Sequence, residues 1–374
     1  MADSTTPHQV AIVGCGIIGR THADTVAARP DATVTALVDV DPAAAKALAT
    51  RLTEAGQPEP KVYGDLDAAV AGSDISLVAV CVPSGTHAAV AEKALEHKLH
   101  VVVEKPLDVD LAKGRRLGAA ATRAASHGVV CSVISQHRFD PGSAIVAEAI
   151  RAGRFGTLTS ATATVAWWRS DEYYASAGWR GTWAQDGGGA LMNQGVHTLD
   201  LLLWFMGRPV TIQAQAIRAA HHAIEVEDTL VATFTFESGA VATLHATTAA
   251  YPGGRTRIAV HGTEGGAEIE DDVLRRFNAD GAKEDLPVAE QSASDASVQQ
   301  LSIDGHTRQY ADILGAIDAG TSAGITIQDG IEALAAVRAV YIASTLQRPI
   351  KFEDVLEGRY DDVEVSRGIG LPPK

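Results

Sequence analysis

The chain predicts two parts: a parallel, doubly wound α/β sheet, then an α+β region built on a mainly antiparallel sheet. Three observations carry this. Apolar runs alternate with Ala-rich helical segments up to about residue 135. The first run ends in G-x-G-x-x-G at Gly14, Gly16 and Gly19. After about Gln136 the pattern changes to long strands alternating apolar and polar residues, two pairs of them joined by glycine turns. Strand–helix alternation implies parallel strands with crossover helices, whereas period-2 alternation implies a sheet buried on one face.

In the first part, Val10 to Val13 reads as a buried strand and Thr21 to Ala28 as the following helix. Gly14 permits the tight turn, Gly16 lets a pyrophosphate approach the backbone, and Gly19 lets helix and strand pack closely. Ile17 and Ile18 lie inside the motif and count among the expected cofactor contacts, and the helix N-terminus offers N–H groups to phosphates. A second strand, Thr33 to Val38, ends in Asp39, placed to hold ribose hydroxyls. Helices are expected from Pro42 to about Glu54, Asp65 to Ala71, Ala88 to His97 and Asp108 to His127. Strands are expected at Val62-Tyr63, Ile75 to Val82, His100 to Glu104 and Val129 to Ser135. Ligands of such sheets lie at the carboxyl ends of strands, which brings in Pro83, His87, Glu104 and Lys105. Beyond Pro141–Ala152, read as a helix, strands are expected at Leu158–Trp168, Val210–Arg218, Thr229–Phe236, Ala240–Thr248, Arg257–His261 and Ala267–Glu270. Glu284 to Gln300 reads as an exposed loop. Helices close the chain at His306–Ala319 and Ile327–Leu346.

The chain has 374 residues with formal net charge −15, which argues against a basic face for nucleic acid or an anionic membrane. The polar residues before the first strand do not read as a signal peptide, and no stretch approaches a membrane span; a cytoplasmic protein is expected. Cys15, Cys81 and Cys131 are far apart and form no C-x-x-C pair. Neither they nor the 13 histidines show a metal-ligand pattern, so no metal is expected.

Three stretches carry chemistry. Val103-Glu104-Lys105-Pro106-Leu107 puts a lysine at the mouth of a buried strand, where desolvation and a cationic nicotinamide would lower its pKa for acid–base work; the Lys105–Pro106 bond is a candidate for cis. Gly187-Gly188-Gly189 leads into a helix bearing Asn193 and His197 at i, i+4, with Asp200 one turn on and in reach of His197. All five tryptophans fall between 167 and 204, among Arg169, Tyr173, Tyr174 and Arg180. Aromatic faces beside guanidinium groups suit a polyhydroxylated ring, and equally a subunit interface.

Together G-C-G-I-I-G with Asp39, C-V-P-S-G-T-H (81–87), E-K-P-L (104–107), W-R-G-T-W (179–183) and G-G-G-A-L-M-N-Q-G-V-H-T-L-D (187–200) resemble the glucose–fructose oxidoreductase / inositol dehydrogenase family, Gfo/Idh/MocA. The resemblance covers nearly the whole chain. It implies an NAD-binding Rossmann domain over 7–135 and an open-sheet α+β domain over 136–350, with the final helix, about 327–346, at the domain interface. It implies NAD or NADP, and hydride exchange at a hydroxyl of a sugar, an inositol-like polyol or a sugar derivative; Asp39, which would repel a 2′-phosphate, favours NAD. The catalytic lysine and histidine fall on Lys105 and His197. Asn193 stands where many members carry aspartate. Lys105, Trp179, Arg180, Asn193 and His197 are the expected substrate contacts, and a homodimer or homotetramer would form through the second domain's sheet. Two further readings remain open: a lyase or glycosidase working by transient oxidation, and a non-catalytic NAD-binding sensor.

Overall fold

The computed structural model describes residues 6–279, 282–283 and 303–365. The expected loop at 284–300 lies outside them. Two compact units emerge, and the first is discontinuous: it comprises the chain up to Gln136 and returns at 303–331. The second holds His137 onward and everything from Glu332.

The first unit carries β1 (His8–Val13), α1 (Ile17–Ala27), β2 (Ala32–Val38), α2 (Pro42–Glu54), β3 (Lys61–Tyr63), α3 (Leu66–Gly72), β4 (Leu77–Val80), α4 (His87–Glu96), β5 (His100–Val103), α5 (Leu111–Ala125) and β6 (Cys131–Val133). The strands order as β3-β2-β1-β4-β5-β6, all parallel. This is the doubly wound order of dinucleotide-binding sheets. β4 and the three valines of β5 are wholly buried, as continuous apolar runs in a sheet covered on both faces must be.

Most expected elements appear within a few residues. The helix expected from Asp108 begins at Leu111 instead, because Asp110 is its N-cap and accepts from the N–H groups of Ala112 and Lys113. Asp108 is fully buried and accepts from Ala88, Val109 and Asp110 N–H, tying the start of α4 to the turn before α5.

The second unit has a nine-stranded sheet. It is built from β7 (Leu158–Ala166), β8 (Pro209–Ile217), β9 (Thr229–Phe236), β10 (Val241–Thr247), β11 (Thr256–Gly262), β12 (Gly265–Glu270), β13 (Val273–Ala279), β14 (Ala282–Lys283) and β15 (Ile350–Lys351), in the order β14-β13-β12-β11-β7-β10-β9-β8-β15. All pairs are antiparallel except β7 with β10. The sequence reading missed β13. Arg275 and Arg276 stand side by side at its centre and break the alternation, and a bulge between Glu268 and Ile269 shifts its register on β12. The sheet's buried face packs on α8 (Val196–Met206), most of whose residues are buried. α6 (Pro141–Arg151) and the short α7 (Asp171–Ala175) belong to this unit.

The return segment explains the discontinuity. α9 (Asp304–Ala319) lays Tyr310, Ile313, Leu314 and Ala316 into one apolar cluster with Ala23 and Val26 of α1 and Val10 and Ile12 of β1. Burying those side chains stabilises the first unit by roughly 1.5–3 kcal/mol for each large one. α10 (Ile327–Leu346) begins in the first unit and continues in the second from Glu332. α11 (Phe352–Leu356) closes the described fold.

Candidate active site

The glycine motif behaves as its chemistry requires. Gly14 has φ +95°, and a Cβ there would lie 2.5 Å from the carbonyl oxygen of Cys81. A Cβ on Gly19 would meet the Gly14 carbonyl oxygen at 1.9 Å, so strand and helix touch backbone to backbone. Gly16 is the N-cap of α1 with no side-chain cap, and a Cβ built on it meets nothing within 4 Å. Open space against uncapped N–H groups is the cradle a pyrophosphate needs. Ile17, the first helical residue, is 65% exposed, while Ile18 packs on the core. Asp39 accepts from Cys15 N–H at 2.7 Å and Asp41 N–H at 2.8 Å, which fixes its carboxylate beside the glycine turn. Two of its lone-pair positions are used, leaving others for ribose hydroxyls. These residues fit NAD.

Pro83 is exposed and starts the short turn after β4. His87 and Glu104 are two more of the residues expected near the cofactor. Both are buried, and both are engaged inside the unit. The His87 ring bridges the carbonyl oxygens of Pro106 and Val82, each at 2.7 Å, clamping the two ligand-facing loops together. Glu104 meets His22 Nε2 at 2.9 Å and His306 Nε2 at 3.4 Å, and accepts from Lys105 N–H at 2.9 Å. Burial raises its pKa, yet the two imidazoles outweigh this and hold it well below the usual carboxylate range. Tyr310 Oη lies 2.7 Å from His22 Nδ1. The buried carboxylate thus anchors the turn that carries Lys105, which is half-buried at the end of β5 with its following peptide bond cis. Sequence reasoning missed His22, His306 and Tyr310; a histidine three residues after Gly19 is the one signal it could have used.

In the second unit the glycine run does not lead straight into an α-helix. Ala190 to Gly195 form a π-turn ahead of α8, a feature often found at functional sites. Its N-terminal N–H groups need acceptors. Glu227, wholly buried, supplies them: it accepts from Gly189 and Leu191 N–H, each at 2.9 Å, and from Tyr341 O–H at 2.9 Å. Burial outweighs these hydrogen bonds and pushes its pKa up to about 7. Asn193, in the π-turn, donates from Nδ2 to Asp186 Oδ1 at 2.9 Å. The neighbouring Gln194 donates to Tyr173 Oη at 3.2 Å.

His197 is half-buried on α8, its ring edge-on to His137 with centroids 4.9 Å apart. His137 Nδ1 lies 2.9 Å from Asp140 and 3.0 Å from Asp272. Burial lowers the His137 pKa, but the two carboxylates outweigh it and lift it to about 10, so it is an imidazolium at neutral pH. Asp200, expected to reach His197, instead binds Arg138 bidentately at 2.8 and 2.5 Å. A guanidinium fork matches a carboxylate better than one imidazole N–H does. Arg138 also stacks over Trp204, 5.7 Å from its centroid. His137 and Arg138 therefore lie along one face of α8, at positions 197, 200 and 204.

Two His/carboxylate groups have ligand atoms within 4.8 Å of one another, His22–Glu104–His306 and His137–Asp140–Asp272. Their distances are those of hydrogen-bonded ion pairs.

The tryptophans divide. Trp204 serves α8, Trp183 donates to Glu225 O, and Trp168 packs edge-on against Tyr251. Trp167, Arg169, Tyr173, Arg180 and Trp179 form a continuous stack, each guanidinium 4.5–5.0 Å from two ring centroids.

Comparison with known proteins agrees with this geometry. Residues 8–135 match the oxidoreductase family with NAD-binding Rossmann fold, and residues 144–268 match the GFO/IDH/MocA C-terminal domain. Inositol 2-dehydrogenase of Rhizobium meliloti is 29% identical over 69% of this chain and 74% of its own. D-apiose dehydrogenase of Paraburkholderia graminis is 25% identical over 92% and 90%. The WlbA dehydrogenase of Bordetella pertussis, solved with NADH and UDP-GlcNAcA, superposes with TM-score 0.79 at 26% identity over 92% of this chain and 98% of that one. Among the described residues no helix is long and apolar enough to cross a membrane. With cofactor cradle, lysine turn and histidine helix in the family's order, the chain belongs to the Gfo/Idh/MocA oxidoreductases, an NAD-binding Rossmann domain joined to the family's C-terminal domain.

Proposed function

We propose that this oxidoreductase acts on a secondary hydroxyl of a sugar, an inositol-like polyol or a sugar derivative. The observation that carries the reading is the π-turn anchored by Glu227, which sets Asn193, Gln194 and His197 as a run of hydrogen-bonding side chains in an otherwise apolar segment. Within that run Gln194 is buried and its Oε1 has no partner among the described residues, and a hydroxyl of a polyhydroxylated substrate would supply one. Relatives named for inositol and D-apiose oxidation support the substrate class.

NAD, when bound, supplies hydride exchange. Lys105 or His197 takes the hydroxyl proton, and Asn193 orients the group that does so. Trp179 and Arg180 contact the substrate.

The test is absorbance of NADH with a panel of sugars and polyols. Net NADH supports the dehydrogenase; product without NADH indicates transient oxidation; NAD binding with neither indicates a sensor. Lys105→Ala and His197→Ala should each lower kcat by roughly 10²–10⁴-fold. Near-normal turnover in both would put the site elsewhere. A homodimer or homotetramer through the sheet of the second unit is also proposed. Ile217, Val231 and Val241 share its outer face and are 37%, 54% and 52% exposed. Light scattering on Val231→Lys, compared with wild type, should show a smaller particle.

A further inference from the structure

We infer that the substrate carries an anionic group, a carboxylate or a phosphate, beside its hydroxyls, held by Arg169 and Arg180 around Tyr173. This deepens the reading above and rests on it.

Acidic residues outnumber Lys and Arg in this chain by 46 to 31. Exposed arginines such as Arg20 and Arg151 need no carboxylate partner, because water solvates them, but Arg169 and Arg180 are half-buried. Arg208, Arg255 and Arg257, by contrast, are all salt-bridged. Arg169 and Arg180 have no acidic partner among the described residues, although Asp171 and Glu172 start the helix between them. Both guanidinium carbons lie close to the same ring, 4.9 and 4.5 Å from the Tyr173 centroid. Their outer contacts are Trp167 at 5.0 Å and Trp179 at 4.5 Å. Stacking uses the flat faces and leaves N–H donors around the rim. Arg180 uses two of its donors, toward Ser176 and Tyr173 Oη, whereas Arg169 Nε is buried with no acceptor at all.

Tyr173 extends this excess of donors. Its oxygen accepts from Arg180 at 2.8 Å and from Gln194 at 3.2 Å, while its own proton has no acceptor. Gln194 is itself only 6% exposed, and its Oε1 is unpartnered. Were the amide turned over, its oxygen would take the tyrosine proton and its NH₂ would be left instead. Either way a buried polar atom awaits a partner, three residues before His197. Two permanent cations and an unspent hydroxyl donor call for an oxyanion; the amide suits an adjacent hydroxyl.

The test is calorimetric titration of the full chain, loaded with NAD, with D-glucose, D-glucuronate, D-gluconate and D-glucose 6-phosphate, with NADH absorbance recorded on the same samples. At least one anion should bind about tenfold or more tightly than glucose, as charge-assisted hydrogen bonds allow. Its affinity should fall with added salt. Uronate or aldonate preference identifies a carboxylate, and sugar-phosphate preference a phosphate. Arg169→Met and Arg180→Met should each shrink the anion-to-glucose affinity ratio severalfold, with Arg180→Lys intermediate. Tyr173→Phe removes only the O–H and tests the same site if the arginine variants fold poorly. Anions binding no more tightly than glucose, or variants lowering every ligand alike, would overturn the inference. Absence of NADH with every ligand would count against the dehydrogenase reading instead, and leave the binding ratio to decide this one.

Discussion

The side-chain amide of Asn193 donates to a carboxylate, that of Asp186. Asn193→Asp would set two carboxylates about a hydrogen bond apart, and such a pair holds one proton with a raised pKa. A raised folded-state carboxylate pKa contributes stability below the unfolded value that is lost as pH climbs. The melting temperature of Asn193→Asp should therefore trail wild type more at pH 8 than at pH 5, and Asp186→Asn in the same chain should restore it. A deficit independent of pH, or no rescue, would show that 186 and 193 do not face one another. At this scale the turn at Gly14, Gly16 and Gly19, with Asp39 beside it, was legible because each residue sits in a motif. His87 and Glu104 sit in motifs too, but their partners, Val82, Pro106, His22 and His306, are long-range, and pattern cannot say which way a side chain turns.

The π-turn is the element on which the second unit's chemistry depends, and it is secured by a residue far from it in sequence. Glu227 lies on the approach to β9 and carries no motif, which is why it was invisible beforehand. Removing its acceptors would leave buried Gly189 and Leu191 N–H groups unsatisfied, at about 1–3 kcal/mol each. Its titration gives a sharper check. With a folded pKa of about 7 against 4.5 ordinarily, its stabilising contribution is complete below pH 4.5 and disappears as pH rises through 7. Glu227→Gln lacks that proton exchange. The stability difference between wild type and variant should move against wild type from pH 4.5 to 7, by at most roughly 3 kcal/mol, and flatten above. Denaturant titrations across that range measure it; a flat difference would mean Glu227 is ionised throughout. Element boundaries show the same limit of sequence reading. Asp108 was expected to begin a helix and proved to be a buried acceptor, with the N-cap two residues on.

Across the whole molecule, the alternation of strands and helices made the parallel sheet and most of the antiparallel one legible, with the switch between them near Gln136. What pattern did not reveal is that the first unit includes residues 303–331. Helical periodicity at Asp304–Ala319 identifies a helix but not the cluster it completes, because Tyr310 could be buried anywhere. A fragment ending at Gln136 should accordingly be unstable despite holding the entire parallel sheet and the glycine motif. Adding residues 303–331 as a separate peptide should recover protection of its amides from hydrogen exchange. Full protection in the fragment alone would show α9 to be dispensable.

That late-arriving helix also sets an order of events on the ribosome. Domains generally fold from the N-terminus as synthesis proceeds at about 5–20 residues per second. Here the nucleotide-binding half emerges first yet waits for a piece encoded after nearly the whole second unit, some ten to thirty seconds later at about that speed. During the interval His22 and Glu104 lack His306 and Tyr310, and the apolar side of α1 around Ala23 and Val26 lacks its cover. The nascent chain therefore exposes a sticky surface for longer than a contiguous domain would, the surface a cellular holdase would recognise. Cofactor capture, on this timetable, is among the last steps in the birth of the enzyme.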